Sequence, residues 1–286
     1  TRRASDLEVL EETFNIADYI ALHAYFGWRE DDPQRADFFA TAEILDRQIN
    51  DLIATCDFVA AKKKSMKRIM LALDEWNVWY RGNVNAHPET MWKVARPINE
   101  ETYDMADVIV VGGLLMTMLN HADRLKIGCL AQTVNVIAPI MTRPNGGAWK
   151  QTIYYPFYYM SKYGRGIALK QQAESPEYNC KAYPLPVGYL KSCAVYNPKA
   201  NEIRLFAINR SLEEPIELEF NLNGFEPWCV AEAVEIHHDD LRAINTETEE
   251  TVKPAAIAES SYSLSGNVFH AKLNPLSWNM VRIALR

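Results

Sequence analysis

Three short apolar runs, at residues 18–25, 68–74 and 125–130, each stand just ahead of a stretch with helical patterning. A strand followed by a helix, three times over, leaves one economical arrangement. The strands lie parallel in a sheet and the helices cover it from outside. In the first run Tyr19, Ala21, His23 and Tyr25 alternate with Ile20, Leu22 and Ala24, so the two sets fall on opposite faces. The second run, RIMLALD, is almost wholly apolar, as suits a strand buried on both faces. The spacing of Leu45, Ile49, Leu52 and Cys56 predicts a helix over about 37–62 with one apolar stripe. A loop holding Gly82, His87, Pro88 and Pro97 leads to a second helix expected over 99–120. Gly112 and Gly113 lie inside that helix and weaken it by ~1 kcal/mol each, which points to another element packed closely against them. A third helix is expected over 148–162. Its many aromatic residues read as a packing face rather than a ligand platform.

Beyond Gly164 the pattern changes. Residues 189–196, 202–209, 215–222, 227–237, 267–273 and 278–285 form short, mostly alternating segments. The stretches 197–201 and 265–267 supply turns between them. This predicts an antiparallel β-sandwich over residues 166–286, following an α/β unit over residues 1–165.

The net charge of −7 disfavours nucleic acid as a partner, because phosphate neutralisation needs clustered Lys and Arg. The basic run at Lys62, Lys63, Lys64, Lys67 and Arg68 reads as a solvated helix end. The five cysteines are scattered, with no CxxC pair. That spacing suggests neither a zinc site nor a disulfide framework and fits a reducing compartment. There is no run of ~20 apolar residues to span a membrane. The opening Thr1-Arg2-Arg3 is neither a start nor a leader, which raises the expectation of a fragment.

The segment Leu73-Asp74-Glu75-Trp76-Asn77-Val78-Trp79-Tyr80 carries the most chemistry. A buried strand runs into two adjacent carboxylates and then into aromatics. Strict alternation puts Leu71, Leu73 and Glu75 on one inward face and Asp74 on the other. A carboxylate at the C-terminal end of a barrel strand is where β/α barrels place catalytic groups, though a structural carboxylate paired with arginine would also fit.

The DEWNVWY motif resembles the nucleophile segment of glycoside hydrolase family 51, the α-L-arabinofuranosidases. His23-Ala24-Tyr25-Phe26-Gly27 is similar to the family's sixth-strand motif, and residues 131–140 (AQTVNVIAPI) to its eighth. Residues 148–156 and the closing Leu276-Ser277-Trp278-Asn279 also look like the family. The resemblance implies strands six to eight of a (β/α)8 TIM barrel followed by the sandwich. It implies Glu75 as catalytic nucleophile, Tyr25 hydrogen-bonded to it, His23 lining the site, Gln132 on a sugar hydroxyl and Trp79 as an aromatic wall. Trp149 is a weaker candidate, and Asp74 reads as structural. The implied substrate is an arabinose-containing oligo- or polysaccharide; the implied setting is cytoplasmic, the assembly a hexamer, and no metal or organic cofactor is involved.

Retaining hydrolysis needs a second carboxyl group about 5 Å from the nucleophile. In the family it follows an Asn at the end of the fourth strand. The two Asn-Glu pairs here do not suit that place. Asn99-Glu100 is expected to open a helix, and Asn201-Glu202 to lie at a sandwich hairpin. Three strands cannot close a barrel, so the expectation is that the N-terminal part of the enzyme, possibly a separate chain, supplies the rest. An endoglucanase or xylosidase of the same family, and a non-catalytic carbohydrate-binding remnant, are the competing readings.

Overall fold

A computed structural model describes residues 2–28, 31–80, 94 and 99–286. The loop carrying Gly82, His87, Pro88 and Pro97 lies outside the described residues. The chain opens on a helix that the sequence reading missed, α1 (Arg2–Thr13), then enters β1 (Tyr19–Phe26). Helices α2 (Ala36–Phe39) and α3 (Thr41–Lys62) lead to β2 (Met70–Val78). Helix α4 (Met105–Asn120) leads to β3 (Leu125–Leu130). The three strands pair in the order β1-β2-β3, with β1 parallel to β2 and β2 parallel to β3. Among the described residues they form an open sheet, with β1 and β3 as its edges.

Three expected helices are bounded differently. The stretch over 37–62 breaks at Ala40 into α2 and α3, where the Thr41 hydroxyl donates to the Phe38 carbonyl at 2.8 Å and competes with the helical ladder. The second helix starts not at Asn99 but at Met105. Asp104 caps it, accepting from the Ala106 and Asp107 amides, and the Asp107 side chain bonds back to the Asp104 amide. The third does not span 148–162. Residues Ala148–Lys150 form strand β5, paired with β4 (Ile140–Thr142), and helix α5 covers Tyr154–Tyr163. Pro156 explains this. Deep inside a helix begun at 148 it would remove a hydrogen bond and clash, whereas in the first turn of α5 its missing N–H is no loss.

After α5 the chain is built of strands: β6 (Ile167–Leu169), β7 (Glu177–Tyr178), β8 (Val187–Gly188), β9 (Leu190–Asn197) and β10 (Glu202–Asn209). Then follow β11 (Ile216–Asn221), β12 (Pro227–His237), β13 (Ala255–Ala256), β14 (Tyr262–Ser265), β15 (Val268–Leu273) and β16 (Ser277–Leu285). A six-stranded sheet has the order β13-β12-β16-β10-β9-β6, and a three-stranded sheet the order β11-β15-β14. Ile203, Leu205, Val281 and Ile283 of the first meet Leu218, Phe269 and Leu273 of the second in one apolar core.

The other face of the six-stranded sheet is also covered. Phe206, Ile208, Trp278 and Met280 pack in a second core with Val108 and Val111 of α4 and Leu71 and Leu73 of β2. Every residue of β10 is therefore buried. The core is continuous across residue 165. Gly112 makes the contact possible, because a Cβ there would lie 2.4 Å from Trp278 Cδ1. The close packing expected from the two glycines is present: Gly112 faces Trp278 of β16, and Gly113 faces Ala42 of α3. The aromatic face of α5 also packs as expected. Tyr155 and Tyr163 are buried, and the Tyr159 ring lies 5.8 Å from Trp278. The basic run is solvated, with Lys62 paired to Glu11 and Arg68 to Asp123 at the surface.

Candidate active site

The site lies at the C-terminal ends of β1 and β2. Their register pairs Ile20 with Leu71 and Leu22 with Leu73, then jumps so that His23 pairs with Glu75. The register with β3 skips in the same place, from Leu73–Gly128 to Trp76–Leu130. Both neighbours thus find one extra residue in β2 between Leu73 and Trp76. This is a bulge, which re-aims the side chains that follow it. It corrects the alternation read from sequence. Leu71 and Leu73 are fully buried against the helices, whereas Glu75 has moved to the open face with His23. Asp74 does not point away from the site; it reaches the same histidine.

The contacts bring four of the five sequence-derived residues together. The Tyr25 hydroxyl donates to Glu75 Oε1. His23 Nδ1 lies 2.8 Å from Glu75 Oε2, and its Nε2 lies 3.3 Å from Asp74 Oδ1. The imidazole therefore sits between two carboxylates. The His23, Asp74 and Glu75 side chains are 45%, 44% and 42% exposed, so all three are open to a ligand on that face. Trp79 lies edge-on to the Tyr25 ring at 5.2 Å, and its amide bonds the Phe26 carbonyl at 2.7 Å, which fixes the ends of both strands.

Gln132 is at the same end of the sheet, just past β3, and is exposed. It makes no side-chain hydrogen bond among the described residues, and it is placed there by a residue that sequence reasoning passed over. Asn77 is fully buried. Its amide donates to the Ala131 carbonyl at 2.8 Å and to the Ile137 carbonyl, and its oxygen accepts from the Val78 amide at 2.8 Å. Asn77 latches the loop after β3 to the nucleophile strand. The signal for it was available: a lone amide in an otherwise apolar and aromatic run.

Beneath Trp79, Tyr80 donates to the fully buried Asp107. Burial pushes the Asp107 carboxyl up, and the neighbouring Asp104 carboxylate adds to the rise. Arg35, itself buried, grips Asp104 with both terminal nitrogens, at 2.9 and 2.8 Å. Trp149 is elsewhere, under the Arg143 guanidinium at 5.8 Å, and Arg143 is paired to Glu247. Neither Asn-Glu pair is bonded to Glu75, Tyr25 or His23 among the described residues. The Asn99 carbonyl accepts from the Ile137 amide, while Glu202 is held by Arg204 and Arg282 on β10 and β16.

The family model for the α-L-arabinofuranosidase C-terminal domain matches residues 74–277. The chain belongs to this family. Among curated proteins it is 44% identical to an intracellular exo-α-(1→5)-L-arabinofuranosidase of Bacillus subtilis, over 97% of this chain and 54% of that protein. It is 35% identical to an exo-α-(1→6)-L-arabinofuranosidase of Bifidobacterium longum, over 96% of this chain and 54% of that one. Among solved structures, a family 51 α-L-arabinofuranosidase from Bifidobacterium longum superposes with a TM-score of 0.89 at 29% identity. That match covers 98% of this chain and 56% of the other. The chain thus spans about half the length of the relatives it matches.

Proposed function

We propose that this chain is the nucleophile-bearing part of a retaining, exo-acting α-L-arabinofuranosidase, with Glu75 as the nucleophile. The observation that carries this is the Glu75 carboxylate, set by a bulge on the open face of a parallel sheet and gripped by the Tyr25 hydroxyl and His23. In this reading β1, β2 and β3 are the sixth to eighth strands of a (β/α)8 barrel, and residues 166–286 are a β-sandwich domain.

Glu75 attacks the anomeric carbon of a terminal arabinofuranose. The bond to the leaving oxygen breaks as a second carboxyl group gives that oxygen its proton, and a covalent arabinosyl-enzyme results. Water, deprotonated by the same second group, then attacks the anomeric carbon and releases Glu75. The second carboxyl group comes from the part of the enzyme that the relatives have beyond this match. Tyr25 orders one oxygen of Glu75 and leaves the carboxylate aligned for attack. Trp79 and Gln132 border the sugar, the first by its ring and the second as donor and acceptor to a diol.

The names of the relatives support terminal arabinofuranosyl groups as substrate and an intracellular setting, and the five free cysteines are consistent with the latter. The same reading extends to a homo-hexamer. The test is a mechanism-based aryl arabinofuranoside followed by peptide mass mapping of the complete enzyme. The sugar should be trapped on the peptide containing Glu75, and Glu75→Ala should abolish turnover. Trapping on another carboxylate, or faster turnover of an aryl xyloside or β-glucan, would overturn the proposal.

A further inference from the structure

A cleft of about 480 Å³ opens where α2, the β7–β8 hairpin and the loop from β10 to β11 meet. That volume falls in the ~300–1,000 Å³ range of small-molecule sites. Tyr178 and Tyr189 line it side by side, with ring centroids 5.0 Å apart. Gln34, Asn179, Glu213 and Glu214 also line the cleft. None of these four makes a side-chain hydrogen bond among the described residues. Aromatic faces ringed by uncommitted amides and carboxylates suit a sugar chain. The rings meet C–H faces, and the amides and carboxylates pair with vicinal hydroxyls.

The walls are fixed in advance, which lowers what a ligand loses on ordering the site. Asp37 of α2 accepts from the Lys181 and Ala182 amides at 2.6 and 2.9 Å and so pins the hairpin. Ser211 accepts from the Glu213 and Glu214 amides and shapes the loop that carries both carboxylates. Arg210 lies at the base, buried, and is bound to Glu43 and the Phe39 carbonyl.

We propose that this cleft is a second carbohydrate-binding site that holds an arabinan chain away from the nucleophile. The choice of arabinan rests on the arabinofuranosidase reading; the existence of a sugar site does not. The test is affinity electrophoresis of the complete enzyme through gels containing linear α-1,5-arabinan, with carboxymethylcellulose gels as the comparison. The parent and Glu75→Ala should both be retarded. Tyr189→Ala should bind about ten-fold more weakly. Asn179→Ala with Gln34→Ala, which changes only exposed side chains, should do the same with unaltered thermal unfolding.

Retardation by arabinan that the cleft variants leave unchanged, or none in the parent, would overturn the inference. Retardation lost in the cleft variants, with no sugar trapped on Glu75, would leave the cleft standing and sink the hydrolase reading. Trapping on Glu75 with no effect of the cleft variants would do the reverse. Cleft-dependent retardation by carboxymethylcellulose alone would overturn arabinan as the ligand.

Discussion

Replacing Asn77 by alanine should unlatch one side of the site, and the contacts set the size of the loss. Three polar groups depend on the Asn77 side chain: the carbonyls of Ala131 and Ile137 and the amide of Val78. The contacts to Ile137 and Val78 are buried, and each group stranded there costs ~1–3 kcal/mol. Ala131 is only partly buried, so water recovers some of its bond. The sum is about 3–5 kcal/mol, a large share of the ~5–15 kcal/mol by which a domain is stable. The melting temperature should therefore fall by ~6–20 °C at the ~2–4 °C per kcal/mol of a large domain. The effect should also be local. Hydrogen exchange across residues 131–138, the loop that carries Gln132, should speed up more than exchange in β10. Asn77→Asp keeps the shape but faces two carbonyl oxygens with a buried carboxylate, so it should be no more stable than the alanine variant. An Asn77→Ala protein melting within 2 °C of the parent, with unchanged exchange at 131–138, would refute the latch.

Two further outcomes follow from the packing. Gly112→Ala gains ~1 kcal/mol of helix propensity, but its Cβ would sit 2.4 and 2.8 Å from two atoms of Trp278. Trp278 is itself fully buried beside Phe206 and Tyr159, so overpacking of ~1–3 kcal/mol or more wins and denaturant unfolding should show a net loss. Adding Trp278→Phe should make the glycine substitution less harmful, a coupling a double-mutant cycle reads directly. Glu43 supplies a pH dependence. Burial works to raise its pKa, but Arg210 and Lys191 outweigh that and hold it below the ordinary glutamate value. A depressed carboxylate stabilises above its unfolded pKa of ~4.3 and loses that contribution as pH falls through the folded value. Urea unfolding midpoints should drop below about pH 4, and Glu43→Gln should flatten that drop.

The sequence exposed the elements whose cause is local. Apolar runs of strand length gave β1, β2 and β3. The glycine pair in α4 announced a close neighbour, and the motif around Glu75 marked the site. It concealed whatever depends on a partner. The bulge at Asp74 exists because two flanking strands set the register, and a single strand read by alternation groups Glu75 with Leu71 and Leu73 and turns Asp74 away from it. The hairpin of β4 and β5 was hidden by helix-compatible residues, although Pro156 already argued against a helix begun at 148. Helix α1 carries little apolar patterning and becomes legible only once Leu10 and Phe14 are seen buried in the core beside α3. Asn77 was visible as a residue but not as a latch, since its acceptors lie 54 and 60 positions away.

The two sheets of this molecule meet opposite conditions, and the contrast bears on the proposed function. In the six-stranded sheet every side chain of β10 is buried, because one face packs on β11 and β15 and the other on α4. Among the described residues the parallel sheet is covered on its helix side only. On its other face Tyr19 is 48% exposed and Ile127 41%, alongside the half-exposed His23 and Glu75. Parallel sheets are normally buried on both faces, and large apolar side chains on an open one invite a cover. The catalytic proposal needs that cover for a separate reason, since its proton donor must stand opposite Glu75. One body of protein laid over this face would bury Tyr19 and Ile127 and bring a carboxyl group to the nucleophile. Under the catalytic proposal the apolar cover and the acid are a single requirement, and the relatives this chain matches are about twice its length.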